Sequence, residues 1–418
     1  MSFLAFGQAS TTAAARRLVW ASVVCFAGLT SAGLTGELAH ADERSQAKRI
    51  HDRLAGVPIS STALDDLAAE VVSNPLTAAF TAMDNPNFYN VTLKNFAAPW
   101  TNRESNVFVP LNDYTATVIG MVRDDSDFRE LLSGDIAYIG ASNLNLPAYS
   151  VSDNNHYESL EASGADLDTA LTRTTQSALS GLPSEATAGI MTSRAAAQAF
   201  FIDGTNRAMF RFTLLNHLCN DLEQVQDTTR VPDRIRQDVS RSPGGDSRVF
   251  QNTCIGCHSG MDPLAQAYAY YNYDYDEEND PEGENGRITY NAANDVDPVT
   301  GSRVHAKYFN NDTTFEFGFR TPDDAWANYW RAGANARLGW APALPGAGSG
   351  AKSMGQELAN SDAFAQCQVE KVFENVCLRV PADSIDRAQV DTMIGSFRSS
   401  GYNLKQVFAE SAVYCMGE

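Results

Sequence analysis

The residues best suited to chemistry are Cys254, Cys257 and His258, in the run Cys254-Ile-Gly-Cys-His258. Two thiols at this spacing add across the vinyl groups of a porphyrin, and an imidazole directly after the second thiol reaches the iron. The motif predicts one covalently attached haem c with His258 as proximal ligand, and Gly256 keeping the short loop clear of the macrocycle. Three other chemistries use the same residue types. A thioredoxin-like dithiol expects a buried strand before the motif, and residues 246–252 do not read as one. A zinc site needs more ligands; Cys219 or His305 would have to be recruited, because no second cysteine pair stands at zinc spacing. A disulfide closing so short a loop is strained.

The far side of the iron needs a separate ligand. Met261 follows His258 on the same short segment and cannot reach that side, so it reads as a packing residue beside Asp262-Pro263. Met354 is the expected distal ligand, because an attachment site first and a methionine later is the chain order of many small cytochromes. His217, His305 and an open or water-filled position are the alternatives, ahead of His51 and His156. Beyond the motif and the first 41 residues stand Cys219, Cys367, Cys377 and Cys415, which predict two disulfides in an oxidising compartment. Cys367 and Cys377 fall on one predicted helix, about 15 Å apart, so they pair elsewhere and two connectivities stay open.

Other clusters read more plainly. Tyr268, Tyr270, Tyr271, Tyr273 and Tyr275 read as packing of an amphipathic segment rather than a path for charge. Asp274, Asp276 and Glu278, with Asp295 and Asp297, offer oxygens of the kind calcium takes, but the EF-hand glycine is missing and a solvated acidic loop is the simpler reading. No GxSxG, HExxH or phosphate-cradling glycine loop is present.

The elements that must position these residues are mainly helical. Residues 1–41 read as a signal peptide: Arg16-Arg17, an apolar run from Leu18 to Leu34, then Ala39-His40-Ala41 before Asp42. No later stretch is long and apolar enough to span a bilayer, so the mature chain is expected to be periplasmic or secreted. Residues 42–204 form a helical N-terminal region opening on a helical hairpin split at Gly56-Val57-Pro58. Helical periodicity recurs over 116–132, 167–179 and 193–201. Residues 205–345 form the haem-binding region, entered by a helix over 206–222 and a charged surface crossing at 227–246. Pro345–Gly350 reads as a flexible connector. Residues 346–418 follow as a disulfide-stapled helical piece with helices over 355–376, 384–397 and 404–414. The fold class is mainly α, with a cytochrome c-like haem segment and long irregular loops.

The run Cys254-Ile-Gly-Cys-His-Ser-Gly-Met-Asp-Pro-Leu264 resembles the haem segment of the planctomycete-type secreted cytochrome family, whose signature is CxxCHxxMDPLG-like. Lys48–Pro58, Asp125–Tyr138, Ala188–Ser193 with Arg207–Cys219, Phe364–Phe373 and Gly401–Phe408 resemble further blocks of that family, in order. Ala265-Gln266 departs from the usual Gly-Phe pair. The resemblance implies haem and export rather than a particular reaction.

Composition bounds the rest. The 418 residues, 44% hydrophobic, suffice for one or two cores. The formal charge is −20, and loss of Arg16, Arg17 and Glu37 with the leader leaves 29 basic and 50 acidic residues, or −21. Such a surface repels nucleic acid and anionic membranes and favours a redox partner with a basic docking face. Electron transfer is the leading expectation. A haem enzyme with an open distal site reacting with peroxide or another small oxidant, and a secreted binding module with structural haem, are the alternatives.

Overall fold

Local signals account for most helix ends. Asp42 caps Glu43–Ala55 by accepting the Ser45 N–H at 2.7 Å, and Gly56 closes that helix at φ +70°, a left-handed geometry natural to glycine. Ser60 caps Ser61–Ser73, and Asn74 caps Pro75–Met83 with Pro75 in its first turn. The predicted hairpin therefore breaks where Gly56-Val57-Pro58 requires it. The computed structural model describes residues 41–202, 206–309 and 313–417; all of the predicted leader but Ala41 lies outside them.

Sixteen α-helices and three two-stranded antiparallel sheets make up the regular structure of the described residues. The sheets pair Ala137–Gly140 with Leu171–Thr174, Tyr271–Asp274 with Arg287–Tyr290, and Ala325–Ala327 with Ala347–Ser349. The chain is thus mainly α with long irregular connections, as its periodicity indicates. No helix among the described residues is long and apolar enough to cross a membrane.

Four segments differ from the sequence reading. The periodicity over 116–132 resolves into the Asp113–Arg123 helix and a 3₁₀ turn at Phe128–Leu132. Between Leu167 and Leu179 the chain makes a strand, Leu171–Thr174, because Thr172 and Thr174 suit a ladder opposite Ile139 and Ala137. The expected helix over 355–376 is two, Gly350–Ala359 and Asp362–Cys377, divided where the Ser361 hydroxyl accepts the Phe364 N–H at 3.1 Å. The glycine-rich connector is not free: Ala347–Ser349 is held in a ladder with Ala325–Ala327, and Asn328 donates its N–H to Gly346 at 2.8 Å.

One large apolar cluster draws on all three predicted regions, including Ile50, Met121, Phe210, Met354, Phe364 and Phe408. The Asn206–Leu218 helix packs on both the Ile255–Ala265 helix and the Asp362–Cys377 helix. Its C-terminal end is tied to the latter by a Cys219–Cys367 disulfide, and Cys377–Cys415 ties that helix to the end of the chain. Both helix-borne cysteines pair outside their helix, and one of the two open connectivities is selected.

Candidate functional site

Asp246 begins the segment that carries the motif, accepting the Arg248 N–H at 2.9 Å. The chain continues as a helix through Ser247–Val249, a π-helical turn at Phe250–Cys254 and the Ile255–Ala265 helix. Residues three and four apart share a helix face, so Cys254, Cys257 and His258 point the same way, followed by Met261 and Asp262. The opposite face is built for contact. A Cβ at Gly260 would lie 2.1 Å from Nε1 of buried Trp330, and one at Gly256 3.1 Å from Cβ of Gln226. Gly256 therefore seats the helix against the 226–228 loop.

Cys254 and Cys257 are unbonded and partly exposed, while the other four described cysteines are paired. Cys254 packs against a small cluster of Ile235, Val239, Phe250 and Ile255. The Cys257 sulfur lies 3.5 Å from the Leu222 carbonyl. Burial, and then the charges of Glu223 and Asp221, push its thiol up. A redox dithiol needs the reverse shift, normally from a helix N-terminus, and this motif begins two turns inside its helix. Zinc is equally poorly served. Cys219 is in a disulfide, His305 has Asp297 at 3.9 Å, and no group of three potential metal ligands occurs among the described residues.

His258 is anchored from behind. Its Nδ1 lies 3.1 and 3.2 Å from the two carboxylate oxygens of Asp262, one helical turn on. The Asp262 side chain has no exposed surface. Arg207 grips it with both ends of the guanidinium, Nε to Oδ1 at 2.7 Å and Nη2 to Oδ2 at 2.9 Å. Arg207 also donates to Asp238 at 2.6 and 3.0 Å, and the Arg236 backbone N–H reaches Asp262 at 3.4 Å. Burial alone would raise the Asp262 carboxyl, but the Arg207 charge and the His258 hydrogen bond outweigh it and hold the group well below the usual carboxylate range. An ionised carboxylate only accepts, so His258 Nδ1 carries the hydrogen of this contact and Nε2 is the ring nitrogen left for another partner. No described residue engages Nε2, and the side chain is 21% exposed. Two unpaired thiols and an imidazole with a fixed tautomer, all on one helix face, suit a covalent haem.

The other sequence-predicted residues are distributed through the fold. Met354 is completely buried in the main cluster, on a helix whose Gly355 abuts the Leu132 carbonyl. The connector before it is strand-paired with Ala325–Ala327. His217 is fully buried, 2.8 Å from the Tyr114 hydroxyl and edge-on to Trp100. His156 accepts the Gly140 N–H at 2.9 Å, and His51 lies 3.3 Å from Asn85. Met261 is buried in the main cluster, as its packing role requires. Tyr268, Tyr271 and Tyr273 are buried too, with the Tyr271 and Tyr273 hydroxyls donating to the Ala186 and Gly283 carbonyls at 2.7 Å.

Arg207, Arg236 and Asp238 were not singled out by the sequence. Asp262 carries a readable signal, a carboxylate four residues after the motif histidine. Arg207 carries none, being distant in the chain, and the 227–246 segment that supplies Arg236 and Asp238 has the composition of a surface loop although Ile235 and Arg236 are buried. Comparison with known proteins returns no matching family model, curated protein or solved structure.

Proposed function

We propose that this chain is an exported protein that carries one haem c through Cys254 and Cys257, with His258 as proximal ligand, and passes electrons to and from a partner protein. One observation carries the reading: the only described cysteines outside disulfides are the two of the motif, and they share a helix face with an imidazole whose Nδ1 is occupied and whose Nε2 meets no described residue. When bound, haem supplies a reversible one-electron couple. The chain's own residues orient His258, hold the motif helix on Trp330 and leave both motif thiols unpaired for attachment. The two disulfides fit folding in an oxidising compartment such as the periplasm. The −20 formal charge favours a partner with a basic docking face.

A second reading, a haem protein whose open distal side reacts with peroxide or another small oxidant, is favoured by the burial of Met354 and by the structural partners of His51, His156 and His217. One experiment addresses both. Full-length protein expressed with haem-maturation machinery is expected to show one covalent haem by intact mass and pyridine haemochrome, and Cys254→Ala with Cys257→Ala to show none. A wild-type mass equal to the bare polypeptide would falsify the proposal. Carbon monoxide binding to the reduced protein would select the second reading, and inertness the first.

A further inference from the structure

The cluster behind His258 is more elaborate than attachment of a haem requires. Two arginines and two aspartates, Arg207, Arg236, Asp238 and Asp262, are gathered at a helix-helix contact with little or no exposed side chain. Removing so many charges from water is costly unless each is paired. The pairing is directional: Asp262 turns both oxygens toward His258 Nδ1 while the same oxygens receive a bidentate guanidinium. A carboxylate on the outer nitrogen of a metal-bound imidazole makes the ring a stronger donor. A guanidinium on that carboxylate draws charge back.

We propose that Asp262 is a positioning residue that sets the reduction potential of the haem through His258, and that the Arg207–Asp238 pair limits how much negative charge Asp262 delivers. This rests on the haem reading above. The helix supplies the histidine and its carboxylate at four-residue spacing, so ring orientation and donor strength are set by one element. The arginine comes from the Asn206–Leu218 helix, which is disulfide-tied to the C-terminal helices. The potential thereby depends on how these two helices dock.

The test uses the full-length holoprotein. Asp262→Asn keeps the shape and an acceptor oxygen but removes the charge, and Arg207 retains Asp238 as a partner. Haem content by pyridine haemochrome is expected to match wild type. At a fixed ambient potential the ratio of oxidised to reduced haem is expected to fall about tenfold, a rise of about 59 mV for a one-electron couple. The hyperfine shift of the His258 ring N–H proton is expected to change in the variant, as a weaker hydrogen bond to an uncharged acceptor requires. Asp238→Asn, which leaves His258 and Asp262 in contact, is expected to raise the potential by less, and it carries the test if Asp262→Asn does not yield folded holoprotein. A haem-loaded Asp262→Asn protein with the wild-type potential, or an Asp238→Asn protein with a larger shift, overturns the inference while leaving the haem reading intact. Wild-type protein without covalent haem overturns the reading beneath it.

Discussion

At the scale of single residues, Met354 is the place where packing and the proposed distal ligation meet. It follows the motif in the order that suggests a distal ligand, yet it is completely buried, in a helix clamped by the close approach of Gly355 to the Leu132 carbonyl. Truncating a buried methionine to alanine leaves a cavity and costs about 2–5 kcal/mol. Met354→Ala is therefore expected to lower the denaturation midpoint, and unchanged carbon monoxide reactivity would leave its role one of packing. New carbon monoxide binding in the variant would instead identify the thioether as the sixth ligand. His258 gains its neighbour Asp262 from the helix that the structure shows through the motif.

At the scale of elements, the terminal helices illustrate how far periodicity reaches. Ser384–Ser399 and Leu404–Tyr414 occupy the spans their apolar spacing implies, with Asp383 and Asn403 as caps. The shared-helix argument for Cys367 and Cys377 holds because Asp362–Cys377 is continuous. The choice between the remaining connectivities came from the docking of the Asn206–Leu218 helix. Cys219–Cys367 spans 148 residues of sequence and Cys377–Cys415 spans 38. A longer closed loop restricts the unfolded chain more, so replacing the first pair by serines is expected to destabilise the protein by about 1 kcal/mol more than replacing the second. Urea denaturation of both double variants, after peptide mapping of the parent, measures the difference. Equal losses would show that native contacts, not loop entropy, dominate.

At the scale of the whole molecule, buried titratable groups couple the fold to pH. His217 is held far below the ordinary histidine range by burial first and the Lys371 charge second. Its folded pKa is below the unfolded value of about 6.5, so the unfolded chain takes the proton first. The stability it contributes is complete above that pH and is lost as pH falls below it, by up to about 1.4 kcal/mol per pH unit. Asp262, also depressed, adds a loss of the same sign only below about pH 4. Asp113 is shifted upward by burial, despite the Ala195 and Arg194 N–H groups it caps, and so opposes the trend. Stability is expected to fall from pH 7 to pH 5 in the wild type and to fall less in His217→Gln, as read from urea midpoints. Parallel curves for the two proteins would place the acid sensitivity elsewhere.

The sequence by itself determined the motif, the presence of two disulfides and the mainly helical class, because each depends on spacing within a short stretch of chain, whereas the helix that carries the motif appears only in the structure. A face shared at positions three and four apart and a cap before an apolar run are local facts of backbone geometry. Tertiary structure alone decided that Arg207 grips Asp262, that the charged 227–246 segment turns Ile235 and Arg236 inward, and that the glycine-rich connector becomes a strand beside Ala325–Ala327. It also decided that Cys219 meets Cys367. Those outcomes join residues far apart in sequence, and buried charges choose their partners by the surroundings that desolvate them, which no local pattern of residues encodes.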